Sequence, residues 1–204
     1  MNKNFFSKKN ILITGNTGFK GSWLTKVLLK FNANIIGYSN TENISNPNLF
    51  KILNLKKKIK FIKGDIKDKK KLDNVFKKYR PSIIFHLAAQ PIVSESYKKP
   101  FETFLVNVIG SLNILDLCKK HQFVRSLIYV TSDKCYENVE TIYGYRENDK
   151  LGGSDPYSAS KSAAENIFSA YLKSFFLKKF GSASVRAGNV IGGGDWSKDR
   201  LIPD

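Results

Sequence analysis

Cysteine, histidine and methionine are scarce in this sequence, whose 204 residues include two cysteines, two histidines and one methionine. The cysteines, Cys118 and Cys135, are too few for a disulfide framework, so we expect a reducing, cytoplasmic compartment. The histidines show no paired ligand spacing, so we expect no bound metal. His86 lies within an apolar run and is expected to be a core residue with a hydrogen-bonded ring. His121 follows a predicted helix and is expected at the surface.

Long apolar runs are also lacking. No run in the sequence approaches the roughly 20 residues that a membrane-spanning helix needs. The first residues, MNKNFFSKKN, lack the apolar segment and small-residue cleavage site of a secretory signal. We therefore expect no contact with a membrane.

Acidic residues are few: 17 Asp and Glu face 34 Lys and Arg, giving a net charge of +17. The lysines are scattered over most predicted elements, and no basic run is interleaved with aromatic residues as single-strand binding proteins require. We therefore expect no nucleic-acid partner. A positive surface does favour an anionic small substrate.

Short apolar runs alternate with helical patterns along the whole chain. The predicted strands cover residues 10–15, 33–39, 58–65, 82–89, 125–132 and 182–190. The main predicted helices cover residues 21–31, 68–79, 100–121 and 156–176. Alternating apolar strands and helices predict an α/β fold of the Rossmann-like, doubly wound type, with a parallel sheet and helices on both faces. Ligands of such folds bind at the carboxyl ends of the strands.

A glycine triplet follows the first strand in the stretch ITGNTGFKGSWL. Gly15 permits a tight turn, Gly18 permits close approach of a pyrophosphate, and Gly21 permits packing of the helix on the sheet. The helix N-terminus adds free N–H groups and a positive dipole end. The triplet occurs in the required strand–turn–helix context, so it predicts dinucleotide binding rather than an ordinary turn.

The second strand ends at Ser39 and Asn40, without the acidic residue that often binds the ribose hydroxyls of NAD. No arginine follows to favour a 2′-phosphate, so we expect NAD rather than NADP, with modest affinity. Asp65, after the third strand, has two open interpretations. It either reaches the adenosine part of the cofactor or caps a turn.

Tyr157 and Lys161 are four residues apart on a predicted helix, so they project from one face. A cationic lysine near the phenol favours the tyrosinate, which makes Tyr157 a usable general base. Ser132 ends the fifth strand. The three residues together predict a triad for hydride transfer at an alcohol or ketone.

The motifs TGxxGxxG, HLAAQ and YxxxK, with the serine-ended fifth strand, resemble the extended short-chain dehydrogenase/reductase family of nucleotide-sugar enzymes. The longer stretches TSDKCYEN, GYRENDKLGGSDPYSASKSAAE and RAGNVIGGGDWSKDRLIPD resemble its 4,6-dehydratases, and the resemblance runs from about Asn10 to Asp204. It implies bound NAD, a CDP-glucose substrate, and a role in deoxysugar and polysaccharide synthesis. The alternatives left open are another nucleotide-sugar dehydratase or epimerase, or a non-catalytic dinucleotide-binding fragment.

The resemblance also implies catalytic roles. Tyr157 takes a proton from the sugar 4-hydroxyl, Asp133 is the acid that protonates the departing 6-hydroxyl, and Lys134 is the base at C5. An amine is a base only when neutral and a carboxyl an acid only when protonated, so a charged pair opposes both roles. We expect burial near Lys161 to relieve this, with Asp133 and Lys134 titrating as one coupled unit.

Further contacts are expected on the same basis. Substrate contacts are expected at Ser94, Asn189 and Arg200, and a surface position is the other interpretation of Arg200. Asn107 is expected to be a structural hydrogen bonder, and Gly192–Gly194 part of a mobile substrate loop. The expected cofactor contacts are Gly15, Asn16, Thr17, Gly18, Phe19, Lys20, Gly21, Ser39, Asp65, Ile66, Leu87, Ala88, Ala89, Gln90, Tyr157 and Lys161.

The expected domain division follows from the resemblance. Residues 1–187 form the NAD-binding domain with the catalytic residues, and residues 188–204 begin a substrate-binding region of which most is absent. A homodimer is expected through the two long helices, residues 100–121 and 156–176, because both are richly apolar.

Overall fold

The computed structural model describes residues 4–42, 44–176, 180–197 and 199. A six-stranded parallel sheet forms its centre, in the order β3-β2-β1-β4-β5-β6. The strands are β1 (Asn10–Thr14), β2 (Asn34–Ser39), β3 (Lys60–Lys63), β4 (Ile83–His86), β5 (Ser126–Val130) and β6 (Gly181–Val185). The predicted doubly wound fold is thereby confirmed, with each strand somewhat shorter than its apolar run.

Helices connect the strands. They are α1 (Phe19–Lys30), α2 (Leu49–Ile52), α3 (Lys69–Tyr79), α4 (Val93–Lys98), α5 (Pro100–Phe104), α6 (Ser111–Lys120) and α7 (Pro156–Tyr171). Short 3-10 helices cover Leu55–Lys58 and Asp133–Cys135, and π-helical turns cover Leu105–Gly110 and Leu172–Phe176. The chain winds outward from β1 to β3, then returns to β4 beside β1, so the strand order reverses between β1 and β4. Ligand crevices of this fold class open at such a reversal.

Both faces of the sheet are buried. On β1, Ile11 and Ile13 belong to one apolar cluster with Leu28 of α1. Leu12, between them, belongs to a larger cluster with Phe76 of α3. All three β1 residues are completely buried. Burying one such side chain contributes about 1.5–3 kcal/mol, which explains why the strand is apolar on both sides.

The continuous helix Pro100–Lys120 is long and apolar enough to cross a membrane by length and composition. The expectation that no segment reaches that length was therefore wrong. One such helix is weak evidence for a membrane, because core helices meet the same criterion. Here Ile114 and Leu115 are completely buried, and the amide of Asn113 donates to the carbonyl groups of Ile66 and Lys67. The helix is thus a packed part of this domain.

Candidate active site

A cavity of about 620 Å³ opens at the carboxyl ends of the strands. The loops after all six strands contribute to its wall. The wall includes most of the expected cofactor contacts: Gly15, Thr17, Gly18, Phe19, Lys20, Gly21, Ser39, Asp65, Ile66, Leu87, Ala88, Ala89, Tyr157 and Lys161. It also includes Ser132, Lys134, Ser94 and Asn189. The cavity therefore joins the glycine loop to the Ser–Tyr–Lys group.

The three loop glycines differ in what surrounds them. Gly15 has a φ of +72°, and a Cβ there would lie 2.8 Å from the backbone nitrogen of Ala88. A Cβ at Gly21 would lie 2.3 Å from the carbonyl oxygen of Gly15. Both positions need glycine for the turn and for the packing of α1. At Gly18 the closest protein atom would be 3.4 Å away, so the protein leaves room for a Cβ.

Gly18 thus leaves open space on the cavity side of the loop, directly before α1. It is the N-cap of that helix, and no side chain caps it. Because no side chain caps α1, the backbone N–H groups of its first turn are available to bind an anion in the glycine loop. The residues present therefore fit the pyrophosphate of a dinucleotide.

Ser39 ends β2 and is buried, with its side chain already engaged. Its hydroxyl donates to Oδ1 of Asn16 over 2.9 Å and accepts from the backbone N–H of Thr17 over 3.4 Å. Asn16 is completely buried and is not among the described residues that form the cavity wall. The expected contact of Asn16 with a cofactor stays a prediction, and its side chain is bonded within the protein. Its amide orders the loop by holding Ser39.

Asp65 combines the two interpretations left open for it. Its Oδ1 accepts from the backbone N–H of Lys67 over 2.8 Å, which is a turn cap, and Oδ2 lies 3.6 Å from the ammonium of Lys67. Asp65 also lines the cavity. The carboxylate thus stabilises the turn while it borders the site.

The side chain of Gln90 is hydrogen-bonded within the protein. Its amide nitrogen donates to the hydroxyl of Thr103, and its Oε1 accepts from the backbone N–H of Ile92. Among the described residues it does not form part of the wall. The expected contact of Gln90 with the cofactor stays a prediction. Asn107 accepts from the Gln90 N–H and donates to Ser160, which agrees with its expected structural role.

Ser132 lies at the carboxyl end of β5 and is buried. Its hydroxyl donates to Oδ1 of Asp133 over 2.9 Å and accepts from the backbone N–H of Lys134 over 3.3 Å. The backbone N–H of Asp133 donates to the carbonyl of Ala187, after β6. The loops after β5 and β6 are therefore tied together beside Ser132.

Asp133 and Lys134 do not form an ion pair with each other within the described part of the chain. Lys134 is exposed and borders the cavity, whereas Asp133 is half-buried and does not form part of the described wall. Oδ2 of Asp133 faces Gly188, where a Cβ would lie 3.9 Å away. Within the described residues, Asp133 and Lys134 therefore do not form the buried, coupled pair that we expected.

Tyr157 and Lys161 lie on the first turns of α7, which Asp155 caps by accepting from the Ser158 N–H over 3.0 Å. Both side chains are buried, and Nζ of Lys161 lies 5.8 Å from the centroid of the Tyr157 ring. Burial, together with the positive charge of Lys20, lowers the pKa of Lys161 to about 8. Lys161 is thus mainly cationic at neutral pH, close to the phenol.

The sequence reasoning missed two charges near the triad, the buried Glu165 and the half-buried Arg186. Glu165 lies one turn after Lys161, and its carboxylate is 2.9 Å from the guanidinium of Arg186. Glu165 also accepts hydrogen bonds from Thr131, next to Ser132, and from Ser184. The four-residue spacing from Lys161 was the one available signal. The partner of Glu165, Arg186, directly follows β6 and could not be identified from spacing.

The two histidines have structural roles. Both ring nitrogens of His86 are bonded, Nδ1 to Thr14 over 2.7 Å and Nε2 to Ser111 over 3.0 Å, as expected for a core residue. Burial, with the charge of Lys161, lowers its pKa to about 3, so it is neutral. The surface position expected for His121 is wrong: its ring stacks between Phe76 and Phe123 and bonds to Asp73.

The segment after β6 covers the cavity from the side of α1. Asn189 lines the wall, and Ser94 donates to a carboxylate oxygen of Asp199. The carbonyl of Gly193 accepts from the indole nitrogen of Trp23 over 2.9 Å. The loop expected to be mobile is therefore attached to α1. Arg200 lies outside the described residues.

A metal ion would need several ligating side chains close together. In the part of the chain that the structure describes, no group of three or more His, Cys, Asp or Glu side chains has the geometry to hold an ion.

Comparisons with known proteins agree with this geometry. A sequence profile of the family described as GDP-mannose 4,6 dehydratase matches residues 12–184. The chain is 47% identical to the CDP-glucose 4,6-dehydratase of Salmonella typhimurium, over 100% of this chain and 58% of that protein. It is 33% identical to the dTDP-D-glucose 4,6-dehydratase of Dictyostelium discoideum, over 99% of this chain and 48% of that protein.

Solved structures show the same fold. The UDP-glucose 4-epimerase of Thermus thermophilus, crystallised with NAD, superimposes with a TM-score of 0.78 at 30% identity. That match covers 90% of this chain and 56% of the other. The chain thus spans about half the length of the relatives it matches.

Proposed function

Because the chain belongs to the family described as GDP-mannose 4,6 dehydratase, we propose that it forms part of an NAD-dependent CDP-glucose 4,6-dehydratase. The cavity that joins the glycine loop to Ser132, Tyr157 and Lys161 is the observation that carries this proposal. The 47% identity to a CDP-glucose enzyme supports the choice of nucleotide over the 33% identity to a dTDP-glucose enzyme. The product would feed deoxysugar synthesis.

The residues that would hold NAD are the glycine loop, the first turn of α1, Ser39, Asp65 and the small residues Ala88 and Ala89. When bound, NAD accepts a hydride from the sugar and later returns it. The close contact of Gly15 with the Ala88 backbone keeps the loop after β1 against the loop after β4. These two loops flank the strand reversal where the cofactor would lie.

Oxidation of the sugar needs a base at its 4-hydroxyl. Tyr157 would take that proton, because cationic Lys161 stabilises a phenolate beside it. The hydroxyl of Ser132, on the same wall, would hydrogen-bond the oxygen as the carbonyl forms. The new ketone at C4 then acidifies the hydrogen at C5.

Elimination needs a second base and an acid. Lys134 would remove the C5 proton, since it borders the cavity. Asp133 would protonate the 6-hydroxyl as it leaves as water. Asp133 accepts a hydrogen bond from Ser132. In the described residues no ion pair joins it to Lys134.

The assembled protein is proposed to be a homodimer through α5–α6 and α7. Phe101, Phe104 and Ile109 on the long helix are 77%, 37% and 45% exposed. Apolar side chains in a row on a helix face are typical of a helix-mediated contact.

The test incubates the chain with NAD and CDP-glucose, with UDP-glucose and dTDP-glucose as controls, and identifies the sugar product. A 4-keto-6-deoxy product from CDP-glucose alone supports the proposal. An equal product from the other nucleotides indicates a dehydratase of different specificity, and a 4-epimer indicates an epimerase. Tyr157→Phe is the matched control and is expected to form no product.

A separate titration measures NAD binding. Binding without turnover calls for a repeat with the remaining part of a family enzyme supplied in trans. Product in that mixture would show that turnover needs the added part of the family enzyme. Continued inactivity would leave a dinucleotide-binding chain and contradict the dehydratase proposal.

A further inference from the structure

The carboxylate of Glu165, on α7, is buried among hydrogen-bond donors from two strand ends. One oxygen accepts from the hydroxyl of Thr131, which directly follows β5. The other accepts from the hydroxyl of Ser184 on β6 over 3.0 Å and from the guanidinium of Arg186 over 2.9 Å. These three donors fix the position of the carboxylate relative to the sheet.

Glu165 lies one helical turn after Lys161, and side chains at that spacing are neighbours on a helix. Lys161 is also buried, and its ammonium lies 5.8 Å from the centroid of the Tyr157 ring. An ammonium in the protein interior is unfavourable unless an opposite charge lies near it. The helix that carries Tyr157 and Lys161 therefore also carries a negative charge in a fixed position beside them.

The groups that act on the charge of Lys161 come from several elements. Lys20, on α1, disfavours the protonated form of Lys161, whereas Glu165 favours it. Burial raises the pKa of the Cys135 thiol to about 11 and lowers the pKa of His86 to about 3, so both are neutral at neutral pH. Among these described residues, Glu165 is thus the one that supplies negative charge to Lys161 at neutral pH.

We propose that Glu165 is a positioning residue for the Tyr157–Lys161 pair: its fixed carboxylate is the counter-charge that keeps the ammonium of Lys161 beside the phenol. Glu165 acts on the reaction through Lys161. Without its charge, burial and the repulsion from Lys20 would remove the proton from Lys161 at lower pH. The inference rests on the proposed role of Tyr157 as the base at the sugar 4-hydroxyl.

Urea unfolding of the chain at pH 6 and pH 9 tests the inference without requiring turnover. Glu165→Gln keeps the shape of the side chain and removes its charge. The unpaired Arg186 weakens folding at both pH values, whereas the lower pKa of Lys161 weakens it further only at pH 6. Loss of an opposite charge lowers the pKa of a lysine by about one unit, so the folding equilibrium constant should fall about tenfold more at pH 6 than at pH 9. Equal losses at the two pH values would overturn the inference and leave Glu165 a structural ion-pair partner.

Two matched variants check that charge is the cause. Glu165→Asp keeps the charge, so its loss of stability should be the same at pH 6 and pH 9. Glu137→Gln breaks the exposed pair with Lys150, and its small effect should not depend on pH either. A pH-dependent loss in Glu165→Asp as large as that in Glu165→Gln would overturn the inference. If Glu165→Gln does not fold, the double variant Glu165→Met with Arg186→Met leaves neither charge unpaired, and the pH-dependent loss is expected in it as well.

Reduction of NAD by CDP-glucose gives a second measurement. The rate of the parent should fall as Lys161 loses its proton near pH 8, and in Glu165→Gln this fall should occur about one pH unit lower. An unmoved pH profile would overturn the inference. No reduction by the parent, with or without the remaining part of a family enzyme, would contradict the proposed function instead, and the unfolding data would still decide the role of Glu165.

Discussion

The carboxylate of Glu165 and the guanidinium of Arg186 lie 2.9 Å apart, and this ion pair joins α7 to the residue that follows β6. Glu165 is 2% exposed. Arg186 also donates to the hydroxyl of Tyr136 and to the carbonyl of Glu147. Arg186 therefore links the helix that carries Tyr157, through its ion pair, to the segment that follows Ser132, through its hydrogen bonds.

Removing one partner of this pair is expected to destabilise the protein. Glu165→Gln leaves the half-buried Arg186 without its counter-charge, which is expected to cost about 3 kcal/mol because the Glu165 side of the pair is fully buried. Urea unfolding of the variant and the parent measures the difference. The matched control is Glu137→Gln, which breaks the exposed pair with Lys150 and is expected to cost less than about 1 kcal/mol. Equal losses in the two variants would show that burial does not govern the first pair.

The buried ammonium of Lys161 is expected to oppose folding at neutral pH. Its pKa falls from 10.5 to about 8, so the folded state binds fewer protons than the unfolded state between those values. Stability should therefore rise as pH increases from about 8 to 10.5. At pH 7 the cost is on the order of 3 kcal/mol, and by pH 10 it falls to about 1 kcal/mol.

Lys161→Met tests this by removing the charge. The variant is expected to unfold at higher urea concentration than the parent at pH 7, and the difference should shrink at pH 10. Lys98→Met, at an exposed position, is the control for loss of a lysine and should show little change at either pH. A Lys161 variant less stable than the parent at pH 7 would contradict the expectation. The same variant is expected to lose turnover, because Tyr157 loses its cation.

The glycine loop offers a pair of substitutions with opposite consequences. Gly21→Ala forces a Cβ to 2.3 Å from the Gly15 carbonyl, and overpacking of this kind costs about 1–3 kcal/mol. Gly18→Ala meets no protein atom closer than 3.4 Å, so stability should hold while NAD affinity falls about tenfold. Thermal unfolding and NAD titration of both variants separate the effects. Unchanged NAD affinity in Gly18→Ala would place the pyrophosphate elsewhere.

Asp133 and Lys134 are expected to act after the oxidation of the sugar. Asp133→Asn and Lys134→Met should therefore still oxidise CDP-glucose at C4, and reduced cofactor should accumulate because elimination stalls. The absorbance of the reduced nicotinamide in a single turnover measures this. Tyr157→Phe, which blocks the first step, should give no such signal. If either of the first two variants also fails to reduce the cofactor, that residue acts in oxidation instead.

Much of the fold followed from the sequence, because buried parallel strands must be apolar on both faces. The apolar runs at Asn10–Thr14 and Ser126–Val130 end where the strands reach the cavity. The candidate functional residues could therefore be placed at the ends of the strands. The glycine triplet likewise predicted the loop between β1 and α1. A Cβ at Gly15 or Gly21 collides with backbone, and no other residue type fits.

What the sequence could not determine is which partner each polar side chain takes. Gln90 bonds to Thr103, and Lys134 is exposed beside an Asp133 with which it forms no ion pair in the described residues. Helix periodicity puts Tyr157 and Lys161 on one face, since that spacing is local. The Glu165–Arg186 pair joins residues from α7 and the end of β6, and only the packing of those elements brings the two charges together.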